Sequence, residues 1–148
     1  HVDAGAGKNY IEIEEHGASD DGVTIALNDG KNTIANFNAG FGDDSDKLFF
    51  DGNDAANFKF DGTNLNVRMK NNPRCGILSD VATDAPFVNI LVADKNSVQK
   101  VIVAQAGATV KVEDEVAALY VGDKSGVDFA DYDGALNINL GVVKAKVL

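Results

Sequence analysis

The sequence predicts an all-β fold of many short strands, arranged as a β-solenoid, a β-roll-like stack or a β-sandwich. The 148 residues are rich in Val, Ile, Phe, Asn, Asp and Gly but include only two Pro and no Trp, a composition typical of strands joined by turns. Apolar residues alternate or cluster over strand-length segments, and no long segment follows the helical period. Finally, Gly7-Lys-Asn-Tyr-Ile11 recurs 23 residues later as Gly30-Lys-Asn-Thr-Ile34. Such a repeat suggests stacked units or repeated hairpins.

The amino-terminal strands are organised around the stretch from Gly30 to Asp51. Its pattern predicts a turn, a short strand, an acidic Gly-rich loop and a second strand. The strands that flank this stretch are predicted over Tyr10–Glu14, Val23–Leu27, Asn57–Phe60 and Leu65–Met69.

Both prolines lie between residues 70 and 86 and interrupt the strand pattern. We therefore expect a single domain over residues 1–148, with an internal boundary or surface excursion near 70–86. Glu113–Leu119 also fits a helical turn. The later strands are predicted over Phe87–Ala93, Val98–Ala104, Thr109–Val112, Val116–Val121, Val127–Tyr132, Leu136–Leu140 and Val142–Val147.

Some of these strands are apolar at every position, as in Val101–Ala104. A strand with water on one face would alternate, so these strands are predicted to be buried on both faces. Such strands belong in sandwiches, solenoid interiors or subunit interfaces.

Charge and composition exclude several classes of function. The formal net charge is −10, so the chain has no basic stripe for nucleic acid or for an acidic membrane surface. Cys75 is the single cysteine, which excludes an intrachain disulfide and a Cys-based zinc site. The longest apolar runs, such as Val88–Ala93, are too short to span a membrane. The chain begins at His1 within a Gly-rich pattern, so we expect a fragment of a larger protein.

Three stretches resemble the bacterial RTX, or hemolysin-type, repeat proteins and the large surface proteins that carry such repeats. Ala4–Ile11 is similar to the glycine-rich nonapeptide, and Gly30–Phe37 with Asp46-Lys-Leu48 resembles a segment that closes a β-roll. Gly122–Phe129, together with Tyr132 and Leu136–Leu140, is similar to the strand pairs between RTX blocks. The resemblance implies a secreted or cell-surface location.

The chain departs from the calcium-binding form of this repeat. In the nonapeptide an Asp side chain and turn carbonyls bind the ion, whereas the matching positions here are Asn9 and Asn32. An amide supplies an oxygen but no charge, and calcium affinity depends on ligand charge. The resemblance thus implies a surface protein more firmly than it implies bound calcium.

The acidic loops are the candidate metal site. Asp43, Asp44 and Asp46, together with Asp51 in the next acidic loop, could converge carboxylate oxygens on Ca²⁺. The alternative is a solvated turn, in which Asp, Asn and Gly are favoured for backbone reasons alone. A second acidic set has the same two interpretations: Asp123, Asp128, Asp131 and Asp133. No other cofactor is expected.

No residue pattern indicates catalysis. His1 and His16 lack the spacing of metal ligands. Cys75 lies beside Arg74, but no sequence feature indicates the general base that a nucleophilic cysteine needs. Without Trp, an aromatic platform for sugar is absent from the sequence. We therefore expect a non-enzymatic structural, adhesion or self-assembly module of a bacterial secreted or surface protein, such as an adhesin or surface-layer protein. It would bind a protein partner or itself, and the alternative is a calcium-dependent RTX-type folding or binding module.

Overall fold

The computed structural model contains β-strands and no helix within the residues that it describes. Those residues are 1–14, 21–50, 56–69, 75–78, 81, 85–112, 115–121, 126–128, 137–139 and 146–147. For 56, 75–78, 137–139 and 146–147 only the backbone is described. The prediction of an all-β protein is confirmed. Over the same residues, no helix has the length and apolar character needed to cross a membrane.

Fifteen strands are described, and three of them match their predicted limits: β7, β9 and β10. In chain order the strands are β1 (Val2–Asp3), β2 (Lys8–Glu12), β3 (Thr24–Ala26), β4 (Lys31–Ala35), β5 (Lys47–Phe49), β6 (Ala56–Phe60), β7 (Leu65–Met69), β8 (Cys75–Leu78), β9 (Phe87–Ala93), β10 (Val98–Ala104), β11 (Thr109–Lys111), β12 (Val116–Tyr120), β13 (Gly126–Asp128), β14 (Asn137–Asn139) and β15 (Lys146–Val147).

The strands form three sheets. The central sheet has the order β1-β3-β5-β9-β10-β12-β14, and its strands therefore follow one another across the sheet in chain order. A five-stranded sheet has the order β2-β4-β8-β7-β6, and a three-stranded sheet has the order β11-β13-β15. The chain alternates between the central sheet and one of the other two. We use the term rung for each such pass of the chain through two sheets.

Successive amino-terminal rungs lie in parallel register. Val2 pairs with Ile25, and Ile25 pairs with Leu48, at a constant offset of 23 residues. The same offset pairs all of β2 with β4. Leu48 then pairs with Val92, an offset of 44 residues, because the β6–β7 hairpin is inserted within that rung. β8 pairs with both β4 and β7, so this hairpin extends the five-stranded sheet.

Within the central sheet the described strands change direction once, at the antiparallel pair of β9 and β10. Beyond that point β10, β12 and β14 are again parallel, as are β11, β13 and β15. Crossovers between parallel strands are almost always right-handed. After β9 the strands run in the opposite direction, but each new strand is still added on the same side of the sheet. A right-handed crossover must then pass over the opposite face of the sheet. The second set of rungs therefore packs on the other face of the central sheet.

β10 shows this change of face directly. Val101 and Val103 belong to the larger core, which lies between the central and five-stranded sheets. Ile102 and Ala104 belong to a second core, which includes Val110 of the three-stranded sheet. All four β10 residues are at most 3% exposed. The prediction that this strand is buried on both faces is confirmed.

Two short strands and one turn differ from the sequence prediction. β1 and β8 were not predicted, because strands of two and four residues are too short to show a period. The predicted helical turn over Glu113–Leu119 is wrong for its described part, since Val116–Tyr120 is strand β12 and pairs with β10. Pairing across the sheet overrides the weak helical pattern of this segment.

Candidate functional site

The polar contact between the first two rungs is made by two asparagines at the same position in the repeat. Asn9 Nδ2 donates to Asn32 Oδ1 at 2.8 Å and to the Gly5 carbonyl oxygen at 2.9 Å. Asn32 Nδ2 donates to the Asp29 carbonyl oxygen at 3.0 Å. Asn32 is 1% exposed, so its amide is a buried polar group whose hydrogen bonds offset the cost of burial. The pair ties the turn of one rung to the turn of the next.

Gly30 is required by this close approach. Its φ is +69°, which disfavours a side chain, and a Cβ there would overlap the Gly5 carbonyl oxygen of the neighbouring rung. Gly7 occupies the same place in the first rung and has φ +102°, yet a Cβ there would meet nothing within 4 Å. The two glycines differ because a rung covers Gly30, whereas none covers Gly7 in the described structure.

The acidic loop is held by Asp46, which is fully buried. Its Oδ1 accepts the Val23 backbone N–H and its Oδ2 accepts the Asn38 backbone N–H, both at 2.8 Å. The Asp46 N–H in turn donates to the Asn38 carbonyl oxygen at 2.9 Å. Val23 and Asp46 are 23 residues apart, the offset of the rungs. This carboxylate therefore closes its own loop and links it to the preceding rung.

Gly22 allows the segment before β3 to lie directly against the acidic loop. Its N–H donates to the Asp43 carbonyl oxygen at 3.3 Å, and a Cβ at this position would overlap the Ser45 carbonyl oxygen. Asn38 Nδ2 also donates to the Asp44 carbonyl oxygen at 3.0 Å. The loop thus uses its carbonyl groups, as well as Asp46, for internal and inter-rung hydrogen bonds.

The predicted metal ligands differ in their surroundings. Asp43 and Asp44 have exposed side chains at the tip of the loop, whereas Asp46 is buried beneath it. Asp51 lies outside the described residues. Within the described part of the chain, no group of three or more His, Cys, Asp or Glu side chains is arranged to hold a metal ion.

Most of the other sequence candidates fall outside the described side chains. His16, Arg74, Asp123, Asp131 and Asp133 fall outside the described residues. Cys75 begins β8, of which only the backbone is described. Asp128 ends β13 and is half-buried, and the Val112 N–H donates to its backbone carbonyl oxygen at 2.9 Å.

An open groove of about 570 Å³ lies on the face of the central sheet opposite the five-stranded sheet. Its floor includes Leu91 and Lys100, which pair across β9 and β10. The Lys100 ammonium lies 5.6 Å from the centre of the Phe41 ring and 2.8 Å from Glu115 Oε2. The remaining lining residues are Asp21, Gly42, Asp43, Lys47 and Val98. Two carboxylates and two ammonium groups in one open groove select no single class of ligand.

Two hairpin turns carry carboxylates with perturbed titration. Asp94 Oδ1 accepts the backbone N–H groups of Asn96 and Ser97 at 2.7 and 2.8 Å in the β9–β10 turn. These bonds, that from Asn96 first, lower the pKa of Asp94 below its usual value of 3.8. The pKa of Asp61 in the β6–β7 turn is lowered in the same way, chiefly by the Asn64 N–H and then by the Thr63 N–H.

The sequence pattern pointed to Asn9 and Asn32 as substituted calcium ligands rather than as partners of each other. A signal for their pairing was present, since both follow Gly-Lys and stand 23 residues apart. The same offset separates Asp46 from Val23, whose backbone N–H it accepts. Comparisons of the chain with protein-family models, curated proteins and solved structures gave no match.

Proposed function

We propose that this chain is a non-catalytic structural module of a large bacterial secreted or cell-surface protein, related to the RTX-type repeat proteins. Its two sets of rungs are short β-solenoids with two strands per rung. Its work is spacing, adhesion or self-assembly through strand stacking, and its partner is another protein or a further copy. This proposal places the module outside the cell or on its surface.

The observation that carries the proposal is the constant register of neighbouring rungs. β1, β3 and β5 keep one offset, and β2 and β4 keep the same offset. A stack of this kind can be extended by repetition, because each rung makes the same contacts with the next rung as it makes with the preceding one. Stability then comes from contacts between neighbours, which suits a module that separates or joins other parts of a protein.

The buried polar residues of the stack support a structural function, because their side chains are used to hold the backbone. Asn32 and Asp46 are buried, and their side chains bind backbone groups or the equivalent residue of the neighbouring rung. These groups hold loops and turns in place. A catalytic group, by contrast, must reach a substrate in a cleft.

The calcium-dependent module is the second candidate, and the exposed pair of Asp43 and Asp44 favours it. Their adjacent carboxylates stand at the tip of a Gly-rich loop whose backbone is already ordered by Asp46. A hard cation would need further oxygen ligands, from carbonyl groups of the loop or from water.

Thermal unfolding with and without calcium separates these two functions. The structural module is expected to unfold at the same temperature in excess EGTA and in millimolar Ca²⁺, while sedimentation velocity shows association that increases with protein concentration. An ion that binds the folded state alone at ~100 times its Kd adds about 2.7 kcal/mol and visibly raises the melting temperature. Such a rise, abolished by the double variant D43N/D44N, would replace the structural proposal with the calcium-dependent one.

A further inference from the structure

The outward-facing groups of the first rung have no partner among the described residues. The Lys31 N–H donates to the Gly7 carbonyl oxygen at 2.6 Å, and the Ile13 N–H donates to the Ala35 carbonyl oxygen at 3.2 Å. Odd-numbered residues of this segment therefore direct their backbone groups toward β4. Because backbone groups alternate along a strand, Lys8, Tyr10 and Glu12 direct theirs away from the sheet. Among the described strands, β2 has no partner on this outer edge, so the edge can accept another strand.

The apolar core is also open at this end. Ile25 and Ile34 are fully buried in the second rung. Their equivalents in the first rung, Val2 and Ile11, are only half-buried, although they occupy the same register positions. A further rung would cover both side chains and extend the larger core.

Asn9 and Gly7 define what such a rung must contain. Asn32 Oδ1 accepts a hydrogen bond from Asn9 Nδ2, so Asn9 presents its own Oδ1 for the equivalent bond from a preceding asparagine. The space beside Gly7, where a Cβ would meet nothing within 4 Å, corresponds to the space beside Gly30 that the first rung fills. An asparagine two residues after a glycine, at the same point of a strand–turn–strand segment, fits both features.

We propose that the edge formed by β1 and β2 binds an extended polypeptide that adds one more parallel rung and carries the pattern Gly-x-Asn-x-Ile or Gly-x-Asn-x-Val. The incoming asparagine donates to Asn9 Oδ1, and its strands pair with the outward backbone groups of β2 by strand addition. This inference rests on the proposed structural function and names its docking surface. A second copy of the chain fits less well, because residues 121–148, which hold the last described strands of the stack, contain no Gly-x-Asn.

The probe is a fluorescent peptide of residues 24–37, which contains the strands and turn of the second rung and its Asn32. It is titrated with the full chain in EGTA, and fluorescence anisotropy is measured. The peptide is expected to bind saturably, and its N32A form about three- to tenfold more weakly, the cost of one hydrogen bond. The chain variant N9A is expected to lose the same factor.

A matched pair of substitutions at Tyr10 tests the location. Tyr10 is 67% exposed, so Y10A removes a side chain outside the core and keeps the outward N–H. Y10P removes that N–H, which an edge strand tolerates when it faces outward. Binding is expected to persist in Y10A and to disappear in Y10P. Melting temperature verifies that each variant is folded, and N9A carries the test by itself if Y10P does not fold.

Two results would overturn the inference. One is that the folded wild-type chain does not bind the peptide, or that the N9A and Y10P variants bind it as tightly as the wild type does. The other is self-association that Y10P abolishes without peptide binding, which would assign the edge to a second copy. Either result leaves the structural proposal intact, because that proposal is tested by its calcium-independent melting and by concentration-dependent sedimentation.

Discussion

At the scale of single residues, buried polar side chains connect one rung to the next. Asn32 uses its amide nitrogen for the Asp29 carbonyl and its amide oxygen for Asn9. Asp46 uses one oxygen for each of two backbone N–H groups. An unsatisfied polar group inside a protein costs more than a hydrogen bond contributes, so each residue strongly favours the one register that satisfies it.

Replacing Asn32 with alanine should destabilise the fold by about 1–3 kcal/mol, because the Asp29 carbonyl and the Asn9 amide both lose a partner. N9A should cost less, since Asn9 is half-buried and water can replace its contacts. Urea unfolding of both variants measures the difference. Equal costs, or a smaller cost for N32A, would contradict this account of the asparagine pair.

At Asp46 the isosteric change to asparagine should also destabilise the protein by about 1–3 kcal/mol. The new amide group retains one acceptor oxygen, so either Val23 or Asn38 loses its bond from a buried site. D44N serves as the control, because the Asp44 side chain is exposed and should change stability little. Chemical unfolding of both variants at neutral pH tests this; a stable D46N protein would show that the two N–H bonds do not hold the loop.

At the scale of strands and turns, glycines set how closely neighbouring rungs approach. Gly30 and Gly7 have the same place in the repeat and both have positive φ, but only Gly30 lies against another rung. They therefore separate the cost of backbone strain from the cost of steric overlap.

We expect G30A to be clearly more destabilising than G7A. Both variants carry the strain of a side chain at positive φ, about 1 kcal/mol, but G30A must also push the Gly5 carbonyl away. Thermal melts of the two proteins in one buffer give the comparison. If G7A were the more destabilising, the overlap with the Gly5 carbonyl would not be the larger cost.

The carboxylates of the hairpin turns predict that the stability of the fold decreases at low pH. The folded pKa of Asp94 lies below the unfolded value, so its stabilising effect is complete above about pH 5 and is lost as the pH falls through the folded pKa. D94N keeps a turn-forming amide without the titrating charge, so its melting temperature should fall less than that of the wild type between about pH 5 and 2.5. Parallel melting-temperature profiles for the two proteins would show that this turn does not contribute to acid sensitivity.

Strand-scale prediction from sequence succeeds where a strand is long or evenly apolar. β9 and β10 have seven residues each and match their predicted limits, because apolar residues occupy most positions of β9 and the run Val101–Ala104 of β10. β1 has two residues and β8 follows a proline, so neither shows a period. The buried role of Asp46 also escaped the sequence prediction, since an Asp in a Gly-rich loop has the same local pattern whether it binds solvent, metal or backbone.

At the scale of the whole molecule, one strand joins two cores. Alternate residues of β10 face the larger core and the second core, and the reversal between β9 and β10 is what places the two sets of rungs on opposite faces. The sequence predicted the double burial but not the change of face, which depends on the direction of β9 relative to β10. That direction follows from the tight Asp94–Ser97 turn, in which the Asp94 N–H donates to the Ser97 carbonyl oxygen at 3.0 Å.

The central claim is that the rungs stack in parallel at a constant offset, with Asn9 bonded to Asn32. Nuclear Overhauser contacts in the isotopically labelled protein test it most directly. Cross-peaks are expected between the Asn9 side-chain amide and the turn at Gly30, and between backbone protons of β2 and β4 in the order Asn9 with Asn32 and Ile11 with Ile34. Cross-peaks in the reversed order of an antiparallel hairpin, or none between these strands, would contradict the stacked architecture and the structural function proposed from it.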